Sequence, residues 1–347
     1  MPRRRSRRSS EFGAAGEMAR HSKSDNATIE RQLADLDDLP ADRAARSKPL
    51  ADALALGHYR VAAKAARLTG DALLYDLVPA LLAAYRRFLD KPIKSDPNCY
   101  AKKAIARALV ALDCEEVEFF RAGLHLKQME PVWGGTADTA ADVRGTCALG
   151  LVATGYPRAL VAISALLHDP EPDARLGAIR AAANGSPREA ELLLRSKVLA
   201  GDVEPAIIGE CFSALMSIEP EDSLEFVARW LADANDVLRE LAALALGESR
   251  VPAALDILKG AWDEPVVADE LRFALIRAAA AHRSEAAFDW LLSIAAHARV
   301  PVAACVIESL EPYKNNAQLA ERLAAVLDTR ADRELSGVFK KRWSVVR

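Results

Sequence analysis

Residues 236–248 read DVLRELAALALGE, and this stretch decides the fold. Counted from Arg239, apolar residues fall at +3 and +4 (Ala242, Ala243) and at +7 (Leu246), one stripe of a helix with 3.6 residues per turn. The same template recurs from Lys102, Arg144, Arg175, Ile208, Arg272 and Ala303. The +3/+4 pairs there are Ile105–Ala106, Cys147–Ala148, Ala178–Ile179, Cys211–Phe212, Leu275–Ile276 and Val306–Ile307. The +7 residues are Leu109, Leu151, Ala182, Leu215, Ala279 and Leu310, so all 21 positions are apolar in a chain that is 51% hydrophobic. Anchors lie 42, 31, 33, 31, 33 and 31 residues apart. A near-constant interval is the mark of a repeat array.

Each interval has room for a second helix, and the spacing predicts seven. They are Glu115–Gln128, Pro157–His168, Pro187–Leu199, Asp222–Ala232, Pro252–Trp262, Glu285–His297 and Ala317–Leu327. Ser186-Pro187 with Glu189 has the form of a helix start. Asp169-Pro170 and Glu264-Pro265 mark breaks between units, because proline disfavours helix in the residue before it. Residues from Pro49 to Leu89 fit the template poorly and are expected to form an N-terminal cap of one or two helices; Arg333–Trp343 is expected to cap the other end. Aromatics are only 6%, and the Ala- and Leu-rich remainder favours helix. The fold class expected is all-α: an α-solenoid of about seven helix pairs, spanning 47–347 behind a basic, disordered tail over 1–46.

The units Val237–Pro265 (VLRELAALALGESRVPAALDILKGAWDEP), Asp173–Arg195 and Asp142–Pro170 resemble the bacterial HEAT-repeat (PBS-lyase HEAT-like) family. They share an Arg-anchored first helix, a tight turn, a second helix and an acidic Pro turn. Ile208 and Ala303 lack the basic anchor, so their units are degenerate. The resemblance implies that Arg144, Arg175, Arg239 and Arg272 bond to aspartates in the turns of neighbouring units, with Asp142, Asp173 and Asp236 available. It also implies a fold shared by many activities, so function has to come from a site.

Net charge is −3, but it is unevenly spread: residues 1–23 carry seven bases and two acids, +5, which leaves −8 for the rest. An acidic body argues against nucleic acid, whose binding depends on Lys and Arg releasing counterions; only the tail suits it. Met18 offers a second start that would remove the basic run. No uncharged apolar stretch reaches the ~18 residues of a membrane helix, and no apolar segment follows the basic N-terminus as in a secretory signal. Five cysteines without a Cys-x-x-Cys pair fit a reducing, cytoplasmic setting.

Motifs of catalysis are missing from the sequence: no HExxH, no Gly-rich phosphate loop and no Gly-x-Ser-x-Gly elbow. His21, His58, His125, His168, His282 and His297 are scattered without metal-ligand spacing, and Cys114 with Glu115 and His125 makes no convincing thiol site. Neither metal nor cofactor is therefore expected. The candidate site is the one break in the rhythm, an insertion loop over 127–140. There Met129, Glu130, Trp133, Gly134 and Gly135 are the candidate partner-binding residues. Trp133 has two readings: it folds back to seal a groove, or it meets a partner. Trp230, Trp262 and Trp290, about one repeat apart in second helices, are expected to pack between helices.

These readings converge on a non-catalytic scaffold that binds a basic or neutral protein or peptide on a concave second-helix face, without a membrane. Two alternatives come from the resemblance: a bilin-lyase-type, chromophore-handling protein, and a HEAT-like alkylation-repair protein that binds nucleic acid.

Overall fold

The structure is a computed structural model that describes residues 26–343. The basic run Arg3–Arg8 and Met18 lie outside the described residues. The chain divides into two compact units, one up to Ala181 and one from Ala182.

The first unit opens with α1 (residues 26–37), α2 (Arg43–Ala55), α3 (Tyr59–Asp71) and α4 (Val78–Arg87), followed by the single turn α5 (Pro92–Ser95). Next come α6 (Tyr100–Ala111), α7 (Val117–Gly123), a hairpin of β1 (Met129–Val132) and β2 (Gly135–Asp138), α8 (Ala141–Ala153) and α9 (Ala159–Ile163). Helix α10 (Pro172–Ala183) closes it. The second unit holds α11 (Pro187–Ala200), α12 (Pro205–Ile218), α13 (Pro220–Ala228), α14 (Asp236–Ser249) and α15 (Pro252–Trp262). It ends with α16 (Asp269–His282), α17 (Glu285–His297), α18 (Val300–Ser309), α19 (Ala317–Arg330) and α20 (Arg333–Trp343). The architecture is an all-α succession of helix pairs, interrupted by one two-stranded hairpin.

The apolar stripe explains the stacking. All 21 template positions are fully buried. One helix pair cannot cover its own stripe, so each first helix leans on the next: α3, α6 and α8 stack in the first unit, and α12, α14, α16 and α18 in the second. Burying each Leu, Ile or Phe of the stripe contributes about 1.5–3 kcal/mol. Small residues set the spacing. A Cβ on Gly177 of α10 would lie 2.2 Å from the Gly145 Cα of α8, so these helices meet backbone to backbone.

Second helices seal the core from the other side. In the last repeats Phe288, Leu291 and Leu292 of α17 join Leu319 and Leu323 of α19 in one buried cluster. The tryptophans pack as expected: Trp262 meets Trp290 edge-on at 5.9 Å, and Trp230 lies 5.6 Å from Phe212. Some second helices are shorter than their spacing predicts. Helix α7 stops at Gly123, and α9 and α13 finish as 3-10 turns over Ser164–His168 and Arg229–Ala232.

Two expectations need correcting here. The stretch 26–46, assigned to the tail, is structured: α1 buries Leu36, its Glu30 pairs with Arg60, and Lys64 donates to the Leu33 carbonyl. The insertion is not a loop but an antiparallel hairpin, with Met129 opposite Asp138 and Val132 opposite Gly135. Its strands of four residues are too short, and too interrupted by Pro131, for an alternating pattern to show.

Candidate functional site

The inserted hairpin is held at its base by a buried polar network and is exposed at its tip. Asp96, at the kink before α6, accepts from the backbone N–H groups of Ala101 (2.7 Å) and Lys102 (3.0 Å). It also faces the Lys102 ammonium at 2.9 Å, with both side chains fully buried. Asn98 and Cys99 sit in left-handed conformations, φ 57° and 51°, and turn the chain so that the Asn98 N–H points at the hairpin. Gln128 spans the gap, its amide donating to the Asp96 carbonyl at 2.9 Å and to Glu130 Oε1 at 2.6 Å. Both acceptors fix the orientation of that amide.

Glu130 is the centre. Its Oε1 also accepts from the Asn98 N–H and the Thr139 hydroxyl, each at 2.7 Å. Burial pushes this carboxyl up, but hydrogen bonds from Thr139, Gln128 and Asn98, with the Lys102 charge, hold it below its ordinary value. Asp138 is treated alike: burial raises it, while the Gln128 and Ala140 N–H groups and Arg144 bring it down. Arg144 completes the base, donating to Asp138 (2.7 Å), to the Leu126 carbonyl (2.8 Å) and in a two-pronged pair to Asp169 (2.9 and 2.8 Å). A charge this buried is tolerated only because its partners are so complete.

Beyond this base the hairpin stands free. Residues 131–136 are all exposed. Trp133 and Gly134 form the two-residue turn, and Gly134, at φ 87°, takes a conformation that few other residues adopt without strain. Trp133 is 103% exposed, while Met129 and Val132 are about half exposed. The reading in which Trp133 folds back over a groove is thus corrected: the turn carries it outward. The structure places Met129, Trp133, Gly134 and Gly135 on one projecting element. Glu130 is different, only 7% exposed, with its Oε1 turned inward onto the base, where it positions the hairpin.

The anchor ladder is structural, with a changed set of partners. Arg239 pairs with Asp236 of its own helix and not with a turn of a neighbouring unit, Asp142 pairs with Arg107 of α6, and Arg144 takes Asp138 and Asp169. Arg175 donates to the carbonyls of Asp169 and Pro170, and Arg272 stacks over Trp262. Each unit also has an open groove. One of about 730 Å³ in the second unit is lined by Leu231, Ile257, Val266 and Leu271 with Arg229 and Arg239. One of about 560 Å³ in the first unit lies over first helices, between Lys103, Arg107, Thr146 and Leu176. Burial pushes the thiols of Cys147 and Cys211 up to about 12 and raises that of Cys114, which keeps them protonated. Among the described residues no group of His, Cys, Asp and Glu could hold a metal ion, and no helix is long and apolar enough to cross a membrane.

Comparison with known proteins adds a frame. No protein-family model matches the chain, and no curated protein does. Among solved structures, it is similar to the complex of CpcE and CpcF of phycocyanin lyase from Nostoc sp. PCC7120. That similarity has 16% identity and a TM-score of 0.34, over 66% of this chain and 89% of that one. It is also similar to human deoxyhypusine hydroxylase in complex with glycerol, at 19% identity and a TM-score of 0.29, over 76% of this chain and 98% of that one. The expectation of a non-catalytic chain is overturned by this finding, since both similar structures are enzymes, a lyase and a hydroxylase. At these scores neither brings a reaction, substrate or cofactor to this chain.

Proposed function

We propose that this protein is an interaction adaptor that grips a protein or peptide partner with its inserted hairpin, through Met129, Trp133, Gly134 and Gly135. The observation that carries the reading is the contrast within ten residues of chain. A fully exposed tryptophan at a turn sits on a base held by three buried ion pairs and a further four side-chain hydrogen bonds that converge on Glu130 and Gln128. Exposed tryptophans on rigid supports are typical anchors of binding energy, because little ordering entropy remains to be lost.

Charge supports the choice of partner. The −8 of residues 24–347 suits a basic or neutral protein, so complex formation weakens as salt rises. A photo-crosslinking residue in place of Trp133 should capture the partner in the source cell, and the purified pair should then be titrated by calorimetry. Trp133→Ala is expected to lower affinity at least tenfold, the usual cost of a buried aromatic anchor being about 2 kcal/mol or more. An unchanged dissociation constant would remove the hairpin from the interface.

A further inference from the structure

The hairpin has two edges, and they are not alike. Thr139 donates to the Gln128 carbonyl at 3.0 Å, which fixes the ladder's phase. Gln128 with Thr139, Glu130 with Ala137, and Val132 with Gly135 are the hydrogen-bonded pairs, so Met129, Pro131, Thr136 and Asp138 turn their backbone groups outward. On β1 the outward position at the middle is Pro131, which has no N–H to offer. On β2 it is Thr136, whose N–H and C=O have no backbone partner among the described residues. Proteins normally protect open edges with proline or charge, and β1 is so protected. Residues 135–137 carry neither, and the Asp138 carboxylate is turned inward onto Arg144, its side chain 6% exposed.

We infer that the β2 edge pairs with the β2 edge of a second copy of this chain, antiparallel about a two-fold axis, making a four-stranded sheet. The edge is self-complementary. Thr136 of each copy gives its N–H to the other's C=O and takes one in return, and a two-fold is the commonest way for one surface to meet itself. No charge faces its like across the axis at residues 135–137. Residues 131–136 are all exposed, so the edge at Thr136 is open to a second copy. Val132 and the exposed Trp133 flank the pairing and supply apolar surface to bury. The paired area is small, so the dimer is weak and concentration-dependent. Its salt dependence runs opposite to that of the proposed partner complex: two acidic bodies repel, so salt strengthens the dimer.

Sedimentation velocity on the full chain, in a dilution series reaching about 500 µM where a small interface fills, tests this. The expected result is a reversible shift from monomer to dimer mass that salt promotes. Thr136→Pro removes the outward N–H without touching a bond inside the hairpin, and should leave monomer at every concentration with an unchanged helical circular dichroism spectrum. If that variant fails to fold, Thr136→Lys sets like charges together across the axis and should do the same. A wild-type chain that stays monomeric, or a dimer that survives both substitutions, overturns the inference. Neither result bears on the foreign partner, whose loss is read from Trp133→Ala.

Discussion

Arg144 and Arg239 occupy the same position of the same template, yet they live in different surroundings. In α14, Arg239 reaches the Asp233 carbonyl and pairs with Asp236, whose side chain is 65% exposed. In α8, Arg144 is 1% exposed and is bound to two buried aspartates and a carbonyl. The regular repeat uses its anchor as a clip between a helix and the turn before it. Where the hairpin is inserted, the same residue becomes the centre of a sealed ionic cluster. The repeat supplies the helix; the insertion changes what the anchor is for.

Replacing each anchor by alanine should widen that contrast most. Arg144→Ala leaves Asp138 and Asp169 buried without their cation, and breaking such a pair costs about 3–5 kcal/mol. Arg239→Ala loses one backbone hydrogen bond and a solvent-screened ion pair, about 1 kcal/mol. Urea denaturation of the two variants would measure the difference. Equal losses would mean that burial is not what separates them.

A second pair of substitutions compares helix spacing in the two units. A methyl on Gly177 meets the Gly145 backbone of the next helix, so Gly177→Ala should destabilise by about 1–3 kcal/mol through overpacking. Gly260 in α15 has nothing within 4 Å of a built Cβ, and Gly260→Ala should gain up to about 1 kcal/mol from helix propensity alone. Thermal denaturation gives the sign of each directly.

The repeat was legible because its signal is periodic and local. The interval from one anchor to the next and the apolar +3, +4 and +7 residues name positions that the structure buries without exception. The hairpin's base was not legible, because its partners are set by tertiary placement. Glu130 meets the Asn98 N–H, 32 residues earlier, and Arg144 meets Asp169, 25 residues later. The left-handed turn at Asn98 and Cys99 leaves no pattern in composition. Glu130 was therefore grouped with the exposed tip from its neighbours in sequence, while strand alternation turns it to the inner face.

The pH response follows from that inward face. Glu130 and Asp138 are both held below their ordinary values in the folded chain. A depressed carboxylate stabilises the fold at pH above its unfolded value of about 4, and this stability is lost as pH falls through the lower folded value. Around α14 and α16 no carboxylate is buried among the described residues. Amide exchange in residues 128–140 should therefore accelerate relative to α14 and α16 as pH drops below about 4, after correction for intrinsic exchange rates. Parallel behaviour of the two regions would deny the network its role in seating the hairpin.

The smallest expected effect on stability sharpens the comparison furthest. Trp133 is fully exposed, so Trp133→Ala removes no packed surface and should change unfolding free energy by less than about 0.5 kcal/mol. Trp262 and Trp290, which pack against each other and against the core, should each cost about 3 kcal/mol or more on the same change. A tryptophan that does nothing for folding has to be accounted for by what it does outside the fold. If Trp133→Ala melts with the wild type and yet loses partner binding, the hairpin is an instrument carried by the repeat. If it instead lowers stability as the other two do, Trp133 is packed in solution and the projecting tip is not the free element described above.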